Sequence, residues 1–240
     1  MFFTLRSLRL RFLATVVGLS LALLPQVLPV YAAEPGRGAT AALEQSYLTF
    51  IIDHHFAALR MTELAAGTLQ QVTGEITDAD RARPTPGFEA TEPRARLDQI
   101  KEIARRNNRM QREEILMAQR FLRDWYGVNH EPQVPASARP DIERLQTLSG
   151  EAFDRDFLPT FSRHHYTAIT SSVDCLVGRE VRHDDLRRFC KGAVDSQLSD
   201  IDEMRHLASR QYGMDDIQPQ EAAAQMQHHI LPAGASATIR

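Results

Sequence analysis

Two His-His dipeptides, His54-His55 and His164-His165, stand 110 residues apart in matching surroundings, and this repetition constrains the fold more than any other feature. The first pair runs into Phe56-Ala57-Ala58-Leu59 and the second into Tyr166-Thr167-Ala168-Ile169: an aromatic, a spacer, an alanine and an aliphatic. A second string is also copied. Gln111-Arg112-Glu113-Glu114-Ile115 and Gln197-Leu198-Ser199-Asp200-Ile201 both read Gln-x-x-acid-Ile, at an offset of 86. The 24-residue shortfall places an insertion between the two motifs of the first copy. Residues 74–94 supply it, with Gly74, Pro84, Pro86, Gly87 and Pro93 marking a turn-rich stretch. A duplicated helix-turn-helix unit is expected.

Apolar residues recur at helical spacing in four segments, Ala41–Val72, Arg94–Tyr126, Ser149–Val177 and Asp184–Gln211. Gly127 and Gly213 read as C-terminal stops. The spacing therefore predicts an all-α four-helix bundle over residues 43–213, made of two helix pairs, 43–127 and 149–213, joined by a linker at 128–148. A turn centred near residue 182 sets Cys175 level with Cys190 and His165 level with Asp200. By the repeat, His55 lies level with Glu114. Each pair then offers imidazoles opposite a carboxylate near mid-bundle.

The N-terminus reads as an export signal. Arg6, Arg9 and Arg11 precede an apolar run from Phe12 to Val30, and Val30-Tyr31-Ala32 fits a cleavage site after Ala32. An uncleaved anchor is the alternative, although Pro25 and Pro29 interrupt the run. Signal removal over residues 1–32 takes three of the 28 basic residues and none of the 31 acidic ones, leaving a net charge of −6. That balance speaks against nonspecific nucleic-acid binding, which needs a basic face. Residues 33–42 form a short tail, and a second tail over 214–240 carries His228-His229 after Met226. The two cysteines, in an exported chain, are expected to form a disulfide; two buried free thiols are the alternative.

Imidazoles on facing helices suit zinc, copper, iron or nickel, and thioethers add a preference for Cu(I). The candidate metal ligands are His54, His55, Glu114, His164, His165 and Asp200, with Met61 and Met204 on or near the same inward stripes, as are Met110 and Met117. Neighbouring helical residues diverge by about 100°, so one inward imidazole per helix is the expected geometry. The competing reading is a buried His-carboxylate network that only sets helix register. No catalytic Ser-His-Asp set is recognisable, no Cys-x-x-Cys-His is present, and two inward carboxylates are few for an oxygen-activating iron pair. A binding protein is expected rather than an enzyme.

With His54-His55, Ala58, Leu59 and Met61, then Gln111, Glu114 and Ile115, and in the second copy His164-His165, Ala168 and Ile169, then Gln197, Asp200, Ile201 and Met204, the chain resembles the family named domain of unknown function 305. The resemblance implies a ferritin-like helical bundle of two similar helix pairs, located in the periplasm or at the cell surface, with copper or a related ion as partner. The family carries methionine shortly before the His pair. Here Ile51 and Phe161 occupy those places, and Ser171 stands where the first copy has Met61. Soft ligands are lost at all three.

Overall fold

The computed structural model describes residues 39–68, 85–215 and 217. Five helices carry these residues: α1 (Ala39–Ala66), α2 (Asp98–Tyr126), α3 (Arg139–Thr147), α4 (Gly150–Val177) and α5 (Asp184–Tyr212). Among the described residues there is no strand, only an isolated bridge between Ala95 and Gly150. The four long helices form an all-α bundle in which α1 packs on α2, α4 on α5 and α1 on α4. None of the described helices is long and apolar enough to cross a membrane. The predicted export signal, the 33–38 stretch, Leu69 to Val72 and His228-His229 lie outside the described residues.

α1 stops at Ala66 because Gly67 takes φ +79°, and an added Cβ there would meet the Pro93 ring at 2.7 Å. Only glycine fits that close approach at a left-handed φ. α2 and α5 end in the same way. The N–H of Gly127 bonds Arg123 O and that of Val128 bonds Leu122 O; the N–H of Gly213 bonds Ser209 O and that of Met214 bonds Ala208 O. Both glycines sit in the left-handed region, as the helix-stop reading requires.

The stretch expected to be a plain linker contains α3, preceded by a 3-10 turn at Ala136–Ala138. Pro140 is the reason for the difference. A proline breaks a helix interior but suits its first turn, where the N–H has no partner anyway. Ile142 and Leu145, one turn apart, are buried and pin α3 to the bundle. The connector is also tied to both His motifs. His130 Nε2 lies 2.8 Å from the carboxylate of Asp53, which precedes His54, while Arg163, which precedes His164, faces Asp141 of α3 at 3.8 Å.

Two apolar cores flank a polar waist. One contains Met61, Leu64, Ile100, Ile103, Phe153, Phe157, Phe161, Met204 and Leu207. The other contains Leu48, Ile51, Ile52, Ile115, Leu122, Leu186 and the Cys175–Cys190 disulfide. Burial of each large side chain stabilises by about 1.5–3 kcal/mol. The disulfide closes a 15-residue separation, and a loop of that size contributes about 3 kcal/mol.

Each end of the bundle is fastened by a buried carboxylate from the opposite helix pair. Asp154 of α4 accepts from the backbone N–H groups of Arg96 (2.9 Å) and Leu97 (3.1 Å) at the head of α2, and from the Tyr212 hydroxyl (2.6 Å). Glu44 of α1 accepts from the N–H groups of Arg182 (2.5 Å) and His183 (3.2 Å) at the head of α5, and from the Tyr126 hydroxyl. His183 Nδ1 adds a contact at 2.6 Å, and its ring stacks on Trp125 at 3.8 Å. Neither helix head has a side-chain cap of its own. A carboxylate there satisfies exposed N–H groups and complements the helix dipole.

Candidate metal centre

The waist is built from α1 and α4, whose facing histidines meet at the bundle centre. The His54 and His164 rings stack with centroids 3.7 Å apart and planes within 19°. His164 Nε2 lies 3.2 Å from the His54 carbonyl oxygen. Phe50 packs beside His54 at 5.2 Å, and Phe161 beside His165 at 4.4 Å. The expectation of one inward imidazole per helix is too sparse: His54, His55 and His165 are all buried and His164 is half-buried. The close α1–α4 contact lets both members of a pair find cover, one toward the partner helix and one toward its own hairpin.

The register expected from the sequence is present in both hairpins. His55 Nε2 lies 2.8 Å from Glu114 Oε2, although the approach angle is not that of a hydrogen bond. His165 Nε2 lies 3.4 Å from Asp200 Oδ2 and 3.0 Å from Asn107 Oδ1, and its Nδ1 lies 3.0 Å from the Phe161 carbonyl. Asn107 Oδ1 also accepts from Gln111 Nε2 at 3.2 Å. Asp200 accepts from Arg106 at 2.7 Å, and the same guanidinium reaches Glu203 at 2.6 Å.

Electrostatics follow from this packing. Burial, reinforced by the neighbouring imidazoles, holds the His54 and His164 rings well below the usual imidazole range. They are neutral at pH 7 and keep a lone pair to donate. Burial pushes the Asp200 carboxyl up, but His165 and Arg106 outweigh it and hold the group below its ordinary value. The carboxylate stays charged.

Several buried atoms in the waist lack hydrogen-bond partners. They are both ring nitrogens of His54 and of His55, Glu114 Oε2, both amide atoms of Gln197, Gln111 Oε1 and Asp200 Oδ2. Among the described residues no three His, Cys, Asp or Glu side chains converge closely enough to enclose an ion as they stand. The waist therefore offers donors of the right chemistry in a partly assembled arrangement. Met61 and Met204 are fully buried in the adjoining phenylalanine core, with the Ser162 hydroxyl 3.8 Å from Met204 Sδ. Met117, expected to face inward, is 36% exposed. Glu203 and His206 have the Glu-x-x-His spacing of iron-binding bundles but lie on the outer face, their side chains 48% and 66% exposed.

Asn107 and Arg106 are site residues to which the sequence pattern assigned no role. The signal for Asn107 was an amide among apolar positions one turn before Gln111. Arg106 had none, because its partners lie in the other helix pair.

An all-α bundle with a histidine-lined waist is the class that this fold and site define. The chain belongs to the family described as domain of unknown function (DUF305), whose sequence model matches residues 89–208, from before α2 into the last turns of α5. No curated protein matches the sequence. Among solved structures the chain is similar to CopM in the Cu(I)-bound form, with 20% identity, a TM-score of 0.52 and coverage of 71% of this chain and 98% of that one. CopM in the Cu(II)-bound form is similar at 18% identity and a TM-score of 0.51, over 70% of this chain and 97% of that one. These likenesses establish a shared fold.

Proposed function

We propose that this protein is exported and binds a transition-metal cation, copper foremost, in its histidine waist, serving to buffer the ion or to deliver it. One observation carries the reading. His54 is buried with both ring nitrogens unpartnered, next to a second neutral imidazole 3.7 Å away. An orphaned buried polar atom costs about 1–3 kcal/mol, and a metal ion is a partner that imidazole lone pairs accept. His54, His55, His164 and His165 are the proposed donors. Glu114 and Asp200 supply charge, and Met61 and Met204 are the nearest buried thioethers. CopM, which shares the fold, is known in Cu(I)-, Cu(II)- and Ag-bound forms. The Cys175–Cys190 disulfide agrees with an oxidising compartment, as does the arginine-led apolar segment ending at Ala32.

A structural reading is favoured by part of the same site. His165 has a partner at each ring nitrogen, as a register-setting network requires. Metal analysis of the purified protein, with melting temperature followed as copper is added, separates the two. Binding to the native state must raise stability. Copper uptake that raises Tm, and that disappears when all four waist histidines become alanine, is the expected result. Uptake that survives in the quadruple variant would move the site out of the waist, and an unchanged Tm with no uptake would leave only the structural role.

A further inference from the structure

Contacts in this bundle recur at two fixed offsets, 110 from α1 to α4 and 86 from α2 to α5. Glu44 corresponds to Asp154, Arg96 and Leu97 to Arg182 and His183, and Tyr126 to Tyr212; the backbone N–H and tyrosine hydrogen bonds among them are the same on both sides, and the His183 ring adds one at Glu44. The stops Gly127 and Gly213 correspond as well, as do the pairs His55–Glu114 and His165–Asp200. Positions in one half can therefore be read against positions in the other.

The correspondence breaks at two adjacent positions that serve the waist. Asn107 corresponds to Ala193, and Arg106 to Gly192. In the second half Asn107 engages both His165 and Gln111, and Arg106 neutralises Asp200. In the first half a methyl group and a hydrogen stand in their places. A Cβ added at Gly192 would meet nothing within 4 Å. More orphaned atoms fall where those partners are missing, namely both nitrogens of His55, Glu114 Oε2 and both amide atoms of Gln197, than around Asn107 and Arg106, where Gln111 Oε1 and Asp200 Oδ2 are orphaned. Met117 stands where the second half has Glu203, the other carboxylate that Arg106 holds.

We infer that the waist holds one cation, not two, and that it binds in the His55–Glu114 half, with the Gln197 amide oxygen completing the donor set beside the two imidazoles of the His54-His55 pair. The inference rests on the metal-binding reading above. Glu114 is a carboxylate with no built-in cation, while Asp200 already carries one, and the Arg106 guanidinium repels a second. Imidazole, carboxylate and amide oxygen suit Cu(II) or Zn(II), and imidazole takes Cu(I) and Ag(I) as well.

The experiment is a titration of the purified, disulfide-bonded protein with Cu(II), and with Ag(I) standing in for Cu(I), reading bound metal per chain after dialysis. One equivalent is expected. Glu114→Gln, and separately the Gly192→Arg/Ala193→Asn pair that copies the second half onto the first, should weaken binding by about tenfold or more. Asp200→Asn should weaken it less than Glu114→Gln does, as a charge already paired with Arg106 contributes less to a new ligand. The converse pair, Arg106→Gly with Asn107→Ala, should raise the stoichiometry from one to two. Two equal sites in the unaltered protein, loss with Asp200→Asn but not Glu114→Gln, or uptake indifferent to both would overturn the asymmetry while leaving metal binding intact. No uptake by the unaltered protein would end both readings. If the Gly192→Arg/Ala193→Asn protein does not fold, the contrast between Glu114→Gln and Asp200→Asn decides alone.

Discussion

The ends of this bundle and its waist both bury charged and polar side chains, and they treat them in opposite ways. At each end a carboxylate is surrounded by donors: two backbone N–H groups and a tyrosine hydroxyl on Asp154, and the same set plus His183 on Glu44. At the waist, imidazoles and amides from four helices come together and leave ring nitrogens and amide atoms without partners. A buried polar group stabilises a fold only when its partners are present. The ends are therefore fastenings, and the waist gives up stability. Places where a chain breaks this rule are where function is expected.

The largest effect that tests this contrast lies at an end. Asp154→Ala strips a partner from the Arg96 and Leu97 N–H groups and from the Tyr212 hydroxyl together. Since each unsatisfied buried group costs about 1–3 kcal/mol, a loss of about 3 kcal/mol or more is expected. Urea denaturation should show the midpoint falling with an unchanged slope, as a pure stability change requires. Tyr212 supplies a second readout. Burial and the Asp154 contact push its hydroxyl up to about 12, with Arg96 opposing. Without the carboxylate it should titrate at lower pH in an absorbance titration. A variant as stable as the unaltered protein would mean that the end contacts are ornament and that the contrast with the waist is empty.

Glu44 sharpens the comparison through pH. Burial pushes its carboxyl up, but the hydrogen bonds from Tyr126, from the backbone of Arg182 and His183, and from the His183 ring prevail and hold it below the ordinary glutamate value. The folded state thus releases this proton more readily than the unfolded chain, whose glutamate titrates near about 4.3. The stabilisation is fully present above that value and is lost as pH falls through the lowered folded-state value. Glu44→Gln keeps the shape and removes the charge, so it should cost about 1–2 kcal/mol near neutral pH. The gap between the two proteins should narrow as pH falls below the unfolded-state value and close once it has fallen through the lowered folded-state value, where the unaltered protein carries a protonated Glu44. Unfolding curves collected down the pH scale check this. A gap that stays constant into acid would show that charge is irrelevant to the fastening.

The sequence already contained the hairpin registers, because two cysteines and a copied acid measured the same turn independently: Cys175–Cys190 and His165–Asp200 are both level across α4 and α5. The fold class was readable from periodicity alone. What escaped was everything joining one helix pair to the other. Glu44 and Asp154 stand 110 residues apart, and nothing local in either stretch reveals that each caps a distant helix. Arg106 was hidden for the same reason. α3 was missed because a proline suits a linker as readily as the first turn of a helix, where Pro140 stands. Met117 was placed inward by a stripe that, so near the bundle centre, has already rotated toward solvent. Contacts within a hairpin follow from counting residues; contacts between hairpins depend on how two helix faces cross.

The smallest stability effect should come from the residue most central to the proposed function. His54→Leu replaces an imidazole whose two nitrogens find no partner with an apolar side chain of similar bulk. What is lost is stacking on His164 at 3.7 Å and on Phe50 at 5.2 Å, worth about 0.5–1.5 kcal/mol for an aromatic pair. What is gained is release from burying unsatisfied polar atoms, a term of similar size and opposite sign. The metal-free variant should therefore unfold within about 1 kcal/mol of the unaltered protein, in contrast to Asp154→Ala. The copper-dependent rise in Tm should shrink or vanish in the same variant. A large loss of stability without metal would show that His54 has a partner in solution and is a fastening like those at the ends. A small loss with the copper response intact would keep the contrast but remove His54 from the ligand set.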